Sequence, residues 1–318
     1  MPDEWDGHAA QPPNRTMLFR RQFNRLNGGH RKVWDYFEHV RVSGRFSPAV
    51  YFTPDSDLGE SNPWITSSSS AAKPWEPHKA QALFLGGLDW HDVPEHLAVP
   101  VLNLVQSVRH ADPRDERFPF LRRRAFRVCV TEEVADVVRA SGHANGPVVA
   151  VPIGITHEHV SSTGLPRTID VAIAGIKNIP FAEQVAQRLT TLGVTVECFT
   201  RWVPRVELSA AFGRCRVAVT LPSAVEGFYL PPLEAIAQDC AVVCPAVPGT
   251  SAYQPGRHAL RPTYTLDAVV ASVVEALAMD PLRRQSLLDA GRELVQRHSL
   301  EAERRAVLEV LESFDGDW

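Results

Sequence analysis

Two glutamates eight positions apart, Glu226 and Glu234, stand in a setting suited to binding chemistry. They belong to the run Val225-Glu226-Gly227-Phe228-Tyr229-Leu230-Pro231-Pro232-Leu233-Glu234-Ala235-Ile236-Ala237. An apolar, strand-like segment precedes the run at 216–223 and another follows at 241–245. The order is strand, glycine-bearing loop, helix, strand, which is a βαβ crossover. In such units ligands lie beyond the carboxyl end of the first strand. Glu226 sits in that loop and Glu234 on the first turns of the helix. Backbone N–H groups at the helix start would face a phosphate held between them. Pro231 and Pro232 suit that start, where a missing N–H costs little. Two carboxylates beside a helix N-terminus also fit a plain charge–dipole arrangement. The intervening Phe-x-Leu-Pro-Pro-Leu and the flanking strands favour the ligand site.

The run resembles the E-x7-E motif of GT-B-fold, retaining glycosyltransferases of the family 4 type. That motif usually reads E-G-F-G-L-P-x-L-E-A-x-A, and Tyr229 stands here at its second glycine. The resemblance implies that Glu226 binds hydroxyls of a donor sugar and stabilises charge in catalysis. It implies that the backbone at Gly227, Phe228, Tyr229 and Leu230 approaches the sugar and diphosphate, and that Glu234 binds ribose hydroxyls. A carboxylate can accept two hydrogen bonds from a vicinal diol, and glycine lets backbone come close to a ligand.

A leaving diphosphate gains charge during transfer and needs cations or aimed N–H groups. The family commonly has an arginine and a lysine after the first strand of the C-terminal domain. The corresponding run, Ala172-Ile173-Ala174-Gly175-Ile176-Lys177-Asn178, keeps Lys177 and has Ile176 at the arginine position. Arg201, after the next strand, is a candidate substitute, and a solvated loop arginine is the alternative. His110, in Gln106-Ser107-Val108-Arg109-His110-Ala111-Asp112, falls where related enzymes often place a histidine against the donor sugar. Arg109 is a candidate acceptor contact. Gly28 and Gly29 resemble the family's Gly-Gly loop beside the acceptor and diphosphate, although a tight turn also explains them. Pro248-Gly249-Thr250-Ser251 could meet the nucleotide or form a surface turn. Arg122, Arg123, Arg124 and Arg127 form a basic cluster. It reads either as a solvated helix face or as a contact for an anionic acceptor or a membrane surface.

The elements that must position these groups follow from hydrophobic pattern. Strand-like runs at 16–19, 49–53, 82–85, 99–105, 127–130 and 148–151 alternate with helical patterns near 30–42 and 132–140. A second series has strands at 169–174, 194–199, 217–221 and 241–244, with helices near 180–192 and 205–214 and the motif helix. Helices near 265–279, 281–297 and 300–314 close the chain. Strands separated by helices predict parallel sheets. The expected fold is α/β, a GT-B arrangement of two Rossmann-like domains facing a cleft. The expected boundaries are 1–160 for the acceptor side, 161–299 for the nucleotide-sugar side, and 300–318 for a helix packing back on the first domain. Ser161-Ser162-Thr163-Gly164 is the expected linker, residues 1–14 a loose arm, and 54–80 a long loop containing Ser67 to Ser70.

Composition removes other classes. A net charge of -4 offers no basic field for nucleic acid. The five cysteines form no C-x-x-C pair, which argues against a zinc site. Asp55-Ser56-Asp57 reads as a turn, so neither a cofactor nor an essential metal is expected. No apolar run approaches a membrane span, and the opening residues are polar, so a cytoplasmic enzyme is expected. The implied partners are a nucleotide sugar and a glycan, lipid-linked or small-molecule acceptor. A sugar-nucleotide epimerase and a non-catalytic or partner-dependent sugar-nucleotide binder are the competing readings.

Overall fold

A computed structural model describes residues 15–25, 27–66, 72–156 and 166–316. The expected linker at 161–164, the arm at 1–14 and Ser67 to Ser70 lie outside those residues.

The first half runs β1 (Thr16–Arg21), α1 (Gly28–Ser43), β2 (Ser47–Phe52), α2 (Pro63–Thr66), β3 (Ala82–Gly86), β4 (Val101–Val105), β5 (Phe126–Cys129), α3 (Glu132–Ala140) and β6 (Val148–Ala150). The second runs β7 (Ile169–Ala174), α4 (Ile179–Thr191), β8 (Val196–Phe199), α5 (Arg205–Arg214), β9 (Cys215–Thr220), α6 (Leu230–Ala237), β10 (Ala241–Val243), α7 (Leu266–Leu277), α8 (Pro281–Arg297) and α9 (Leu300–Gly316). These elements lie within about two residues of the sequence reading. The short helix α2 breaks the long loop expected at 54–80.

Two sheets result, with strand orders β2-β1-β3-β4-β5-β6 and β10-β9-β7-β8. Every pairing between these strands is parallel. Parallel strands are covered on both faces, so they appear in sequence as unbroken apolar runs. In the first sheet Phe19 and Val50 join a core that includes α1, while their neighbours Leu18 and Ala49 join the core on the opposite face. In the second sheet Ala172 and Ala218 face one core, and Val171, Ile173 and Val219 face another.

Each sheet has one place where the chain turns in opposite directions from adjacent strands. In the first sheet it lies between β1 and β3, and in the second between β7 and β9. Crevices form at such points, beyond the carboxyl ends of the strands. The last helix returns to the first domain, where Val307, Val310, Leu311 and Phe314 bury in the core built on α1 and β1.

The arginine cluster before β5 divides: Arg122 and Arg124 are exposed, whereas Arg123 and Arg127 turn to backbone carbonyls. Arg127 is fully buried. Its guanidinium donates to the carbonyls of Phe120, Leu121, Arg123, Ala125 and Asn145 at 2.6–3.1 Å. Burial pushes this guanidinium down to about 10. Arg123 donates to the carbonyls of Trp90, Val93 and Pro94 and lies 4.7 Å over the Trp90 ring. Arg127 pins loops from inside and the part-buried Arg123 fastens them at the edge, so neither of these two belongs to a solvated helix face.

Candidate functional site

Lys177 and Glu226 meet at the β7/β9 crevice. Lys177 lies in the loop after β7 and Glu226 in the loop after β9. The lysine nitrogen is 3.2 Å from the glutamate carboxylate. The Ser223 N–H donates to Oε1 of that carboxylate at 2.8 Å. The Glu226 side chain is 12% exposed and that of Lys177 is 44% exposed. The carboxylate is therefore held in place, and the ammonium is open to a ligand.

The loop bearing Glu226 is braced from the segment after β10. The Glu226 N–H donates to the Pro248 carbonyl at 3.1 Å, and the Tyr229 N–H to the Gly249 carbonyl at 3.0 Å. The Tyr253 hydroxyl donates to the Tyr229 carbonyl at 2.6 Å. The Tyr229 ring is buried in the second domain's core. Phe228 and Leu230 pack against the cores of both domains. Pro231 and Pro232 carry no N–H, so Leu230 and Leu233 supply the donors at the start of α6.

The first domain reaches this loop directly. A β-carbon on Gly227 would fall on the Gln106 carbonyl oxygen, so glycine is what allows the two backbones to meet. A β-carbon on Gly28 would lie 3.2 Å from Leu230 Cδ1. Gln106 Nε2 donates to the Gly29 carbonyl at 3.3 Å. Gly28 and Gly29 open α1, and Asn27 caps that helix by accepting from the His30 N–H. The structure thus gathers Gly28, Gly29, Gln106, Lys177, Glu226, Gly227 and Leu230 along one rim.

Glu234, on α6, pairs with Arg205 at the start of α5, with a nitrogen–oxygen distance of 2.6 Å. The Glu234 side chain is 14% exposed, and Arg205 Nε is buried without a hydrogen-bond partner. Sequence reasoning missed Arg205. Its signal was a basic residue entering a helix soon after a strand, four positions past Arg201. Arg201 itself is exposed and stands apart from the pairs described above. Glu133 was missed as well. From α3 it accepts from the Gly249 N–H at 3.2 Å and from the Ser251 hydroxyl at 2.7 Å. The loop 248–251 therefore meets the first domain.

His110 lies on a 3-10 turn, Val108–Ala111, after β4. It is buried, and burial with the nearby Arg117 guanidinium pushes its imidazole down to about 4. The ring is therefore neutral near pH 7. Arg109 beside it is exposed. Among the described residues no group of three or more His, Cys, Asp or Glu is placed to hold a metal ion.

Two parallel α/β domains with their crevices set against each other, tied by a returning helix, define the GT-B class of proteins. Residues 165–309, a little under half of the chain, match a family model described as glycosyl transferase-like. The chain thus has the GT-B fold, and its second half is similar to that family's model. No curated protein matches it. Solved structures match its whole length at low identity. A sucrose-phosphate synthase from Thermosynechococcus elongatus superposes with a TM-score of 0.70 at 14% identity, covering 96% of this chain and 100% of its own. HepE from Anabaena, in complex with UDP and glucose, gives 0.69 at 12% identity, covering 94% and 100%. A UDP-forming alpha,alpha-trehalose-phosphate synthase from Burkholderia vietnamiensis gives 0.66 at 14%, covering 96% and 98%.

Proposed function

We propose that this chain is a glycosyltransferase that moves a sugar from a nucleotide-sugar donor to an acceptor hydroxyl with retention of configuration. The meeting of Lys177 with Glu226 at the β7/β9 crevice carries the reading. Glu234 stands on the helix that follows, with Arg205 beside it. The neighbours HepE, solved with UDP and with UDP-glucose, and the UDP-forming synthases support a UDP-sugar donor.

In this reading Lys177 leaves Glu226 for the donor diphosphate and meets the charge that develops as the sugar–phosphate bond breaks. Glu226, still held by the Ser223 N–H, accepts hydrogen bonds from sugar hydroxyls. Glu234 accepts from the ribose diol, and Arg205 turns its unsatisfied nitrogen toward the nucleotide. The acceptor oxygen attacks the anomeric carbon on the face the phosphate leaves, and its proton passes to the departing phosphate oxygen. With the diphosphate met by side-chain cations, transfer proceeds in the presence of EDTA.

Thermal shift with UDP and UDP-sugars tests the donor site. A ligand at one hundred times its dissociation constant stabilises by about 2.7 kcal/mol. The expected result is a shift for the native chain, reduced in Glu226→Ala and lost in Glu234→Ala. Product analysis by NMR is then expected to show the donor's anomeric configuration. Equal shifts in both variants would overturn the site, and binding without transfer across a broad acceptor panel would favour a non-catalytic binder.

A further inference from the structure

The second domain buries two nucleophiles that sugar transfer does not use. Cys215 opens β9, and Cys240 directly precedes β10. The two strands are neighbours, with Ala241 beside Val217. Extending that register back by one residue sets Cys240 beside Arg216, one position along from Cys215. Parallel strands about 4.8 Å apart, rising about 3.3 Å per residue, place the two Cα atoms about 6 Å apart on that diagonal. A disulfide spans such a separation without backbone movement. The side chains already meet, with their sulfurs 3.5 Å apart.

The surroundings set this pair apart from the other thiols. Arg167, itself part-exposed, donates to the Phe212 and Cys215 carbonyls at 2.9 Å and to the Gln238 carbonyl at 2.6 Å. Its guanidinium also lies 3.7 Å from Cys240 Sγ. Hydrogen bonding from Cys240 holds the Cys215 thiol below its usual range, while burial pushes the Cys240 thiol well above it. Cys215 is thus the more acidic of the two and attacks as thiolate, and Cys240 resolves. Burial pushes Cys129 up to about 12 and Cys244 up to about 11. Those two stay protonated near neutral pH and are poor nucleophiles.

Burial also selects the oxidant. Cys215 is 0% and Cys240 1% exposed, so a bulky disulfide finds no sulfur to dock on. Hydrogen peroxide is small and uncharged. The Cys215 thiolate attacks one peroxide oxygen, the O–O bond breaks, and the departing hydroxide takes a proton to become water. The resulting sulfenic acid sits against a second thiol, which favours a disulfide over further oxidation. Cys240 sulfur attacks the Cys215 sulfur, the S–O bond breaks, and the thiol proton leaves with the hydroxyl as a second water. Two thiols have then lost two electrons, and one peroxide has gained them.

We propose that Cys215 and Cys240 are a peroxide-oxidised pair whose disulfide locks the second domain. The ring it closes contains residues 216–239, with Glu226 and Glu234 inside. It also ties the trailing ends of α5 and α6, the helices that carry Arg205 and Glu234. Ser209 of α5 and Gln238 already bond there at 3.0 Å.

Treating the reduced full chain with a modest excess of hydrogen peroxide, followed by intact mass and peptide mapping, tests the proposal on the native sequence. The expected product has lost two hydrogen atoms, carries a 215–240 link, and returns to the starting mass with a phosphine reductant. Its melting temperature is expected to rise by about 5–10 °C, and amide exchange across 230–239 to slow by about tenfold or more. In Cys240→Ala the mass is expected to gain oxygen instead, with no rise in melting temperature. A link between other cysteines, added oxygen without a link in the native chain, no reaction, or a link that leaves stability and exchange unchanged or lowers the melting temperature would overturn it. None of these readouts requires a nucleotide sugar, so they stand apart from the donor site.

Discussion

Lys177 and Glu226 hold each other across a part-exposed gap of 3.2 Å. A pair of that kind contributes under about 1 kcal/mol, so releasing the lysine to a diphosphate costs little. Lys177→Ala is expected to weaken UDP-sugar binding by roughly tenfold to a hundredfold, the loss of one charge-assisted hydrogen bond of about 1.5–3 kcal/mol. Isothermal titration measures this directly, and unchanged affinity would remove Lys177 from the site. Both residues were legible because each lies in a loop after an apolar strand, at a position the motif resemblance marks. Arg205 and Glu133 were not, because each acts on a partner brought near only by the fold. Arg127 was misread for a related reason. In sequence a buried arginine looks like its exposed neighbours, and what distinguishes it is the ring of carbonyls from 120–125 and 145 that tertiary structure supplies.

The elements were the more readable level. Apolar runs covered on both faces and amphipathic helices leave distinct patterns. Less visible was how α9 is fastened to α1. Lys32 is buried on α1 and bonds Glu303 of α9 at 2.6 Å, Asp35 at 2.6 Å and the Gly154 carbonyl at 2.7 Å. The Gly154 N–H donates to the same Glu303 carboxylate. Burial alone would raise that carboxyl, but Lys32 and His39 outweigh it and hold it below the usual glutamate range. Its stabilising effect is therefore complete above the unfolded value, about 4.3, and is lost as pH falls through the lower folded value. Glu303→Gln is expected to lower stability near pH 7 and to flatten the acid limb of the stability curve, followed by urea unfolding from pH 7 down to pH 3. A parallel curve would show that the carboxylate is not the sensitive group. At the same junction a β-carbon on Gly154 would lie 2.7 Å from Leu300 Cα and from the Ser299 carbonyl oxygen. Backbone cannot yield as a side chain can, so Gly154→Ala is expected to cost on the order of 1–3 kcal/mol in the same measurement.

At the scale of the molecule, the two domains touch at their facing crevices. Gln106 meets Gly227, Gly28 meets Leu230, and Glu133 takes the Gly249 N–H and the Ser251 hydroxyl. The Glu133 latch is part-exposed, and the Gly249 whose N–H it takes is buried beside the loop of Glu226. Glu133→Ala is expected to lower the melting temperature by a few degrees, because the buried Gly249 N–H loses its acceptor at a cost of about 1–3 kcal/mol. It is expected to enlarge the radius of gyration in small-angle scattering and to raise the donor KM. An unchanged radius with unchanged KM would show that the latch does not govern closure.

The return of α9 has a consequence for biosynthesis. Val307, Val310, Leu311 and Phe314 complete the core of the domain that is translated first. A chain on the ribosome emerges from its amino end at about 5–20 residues per second. The opening domain must therefore wait, with an apolar groove uncovered, until the second domain has been made and residues 300–314 have cleared the exit tunnel. A nascent chain arrested before residue 300 would expose that groove and be a natural client for a holdase chaperone.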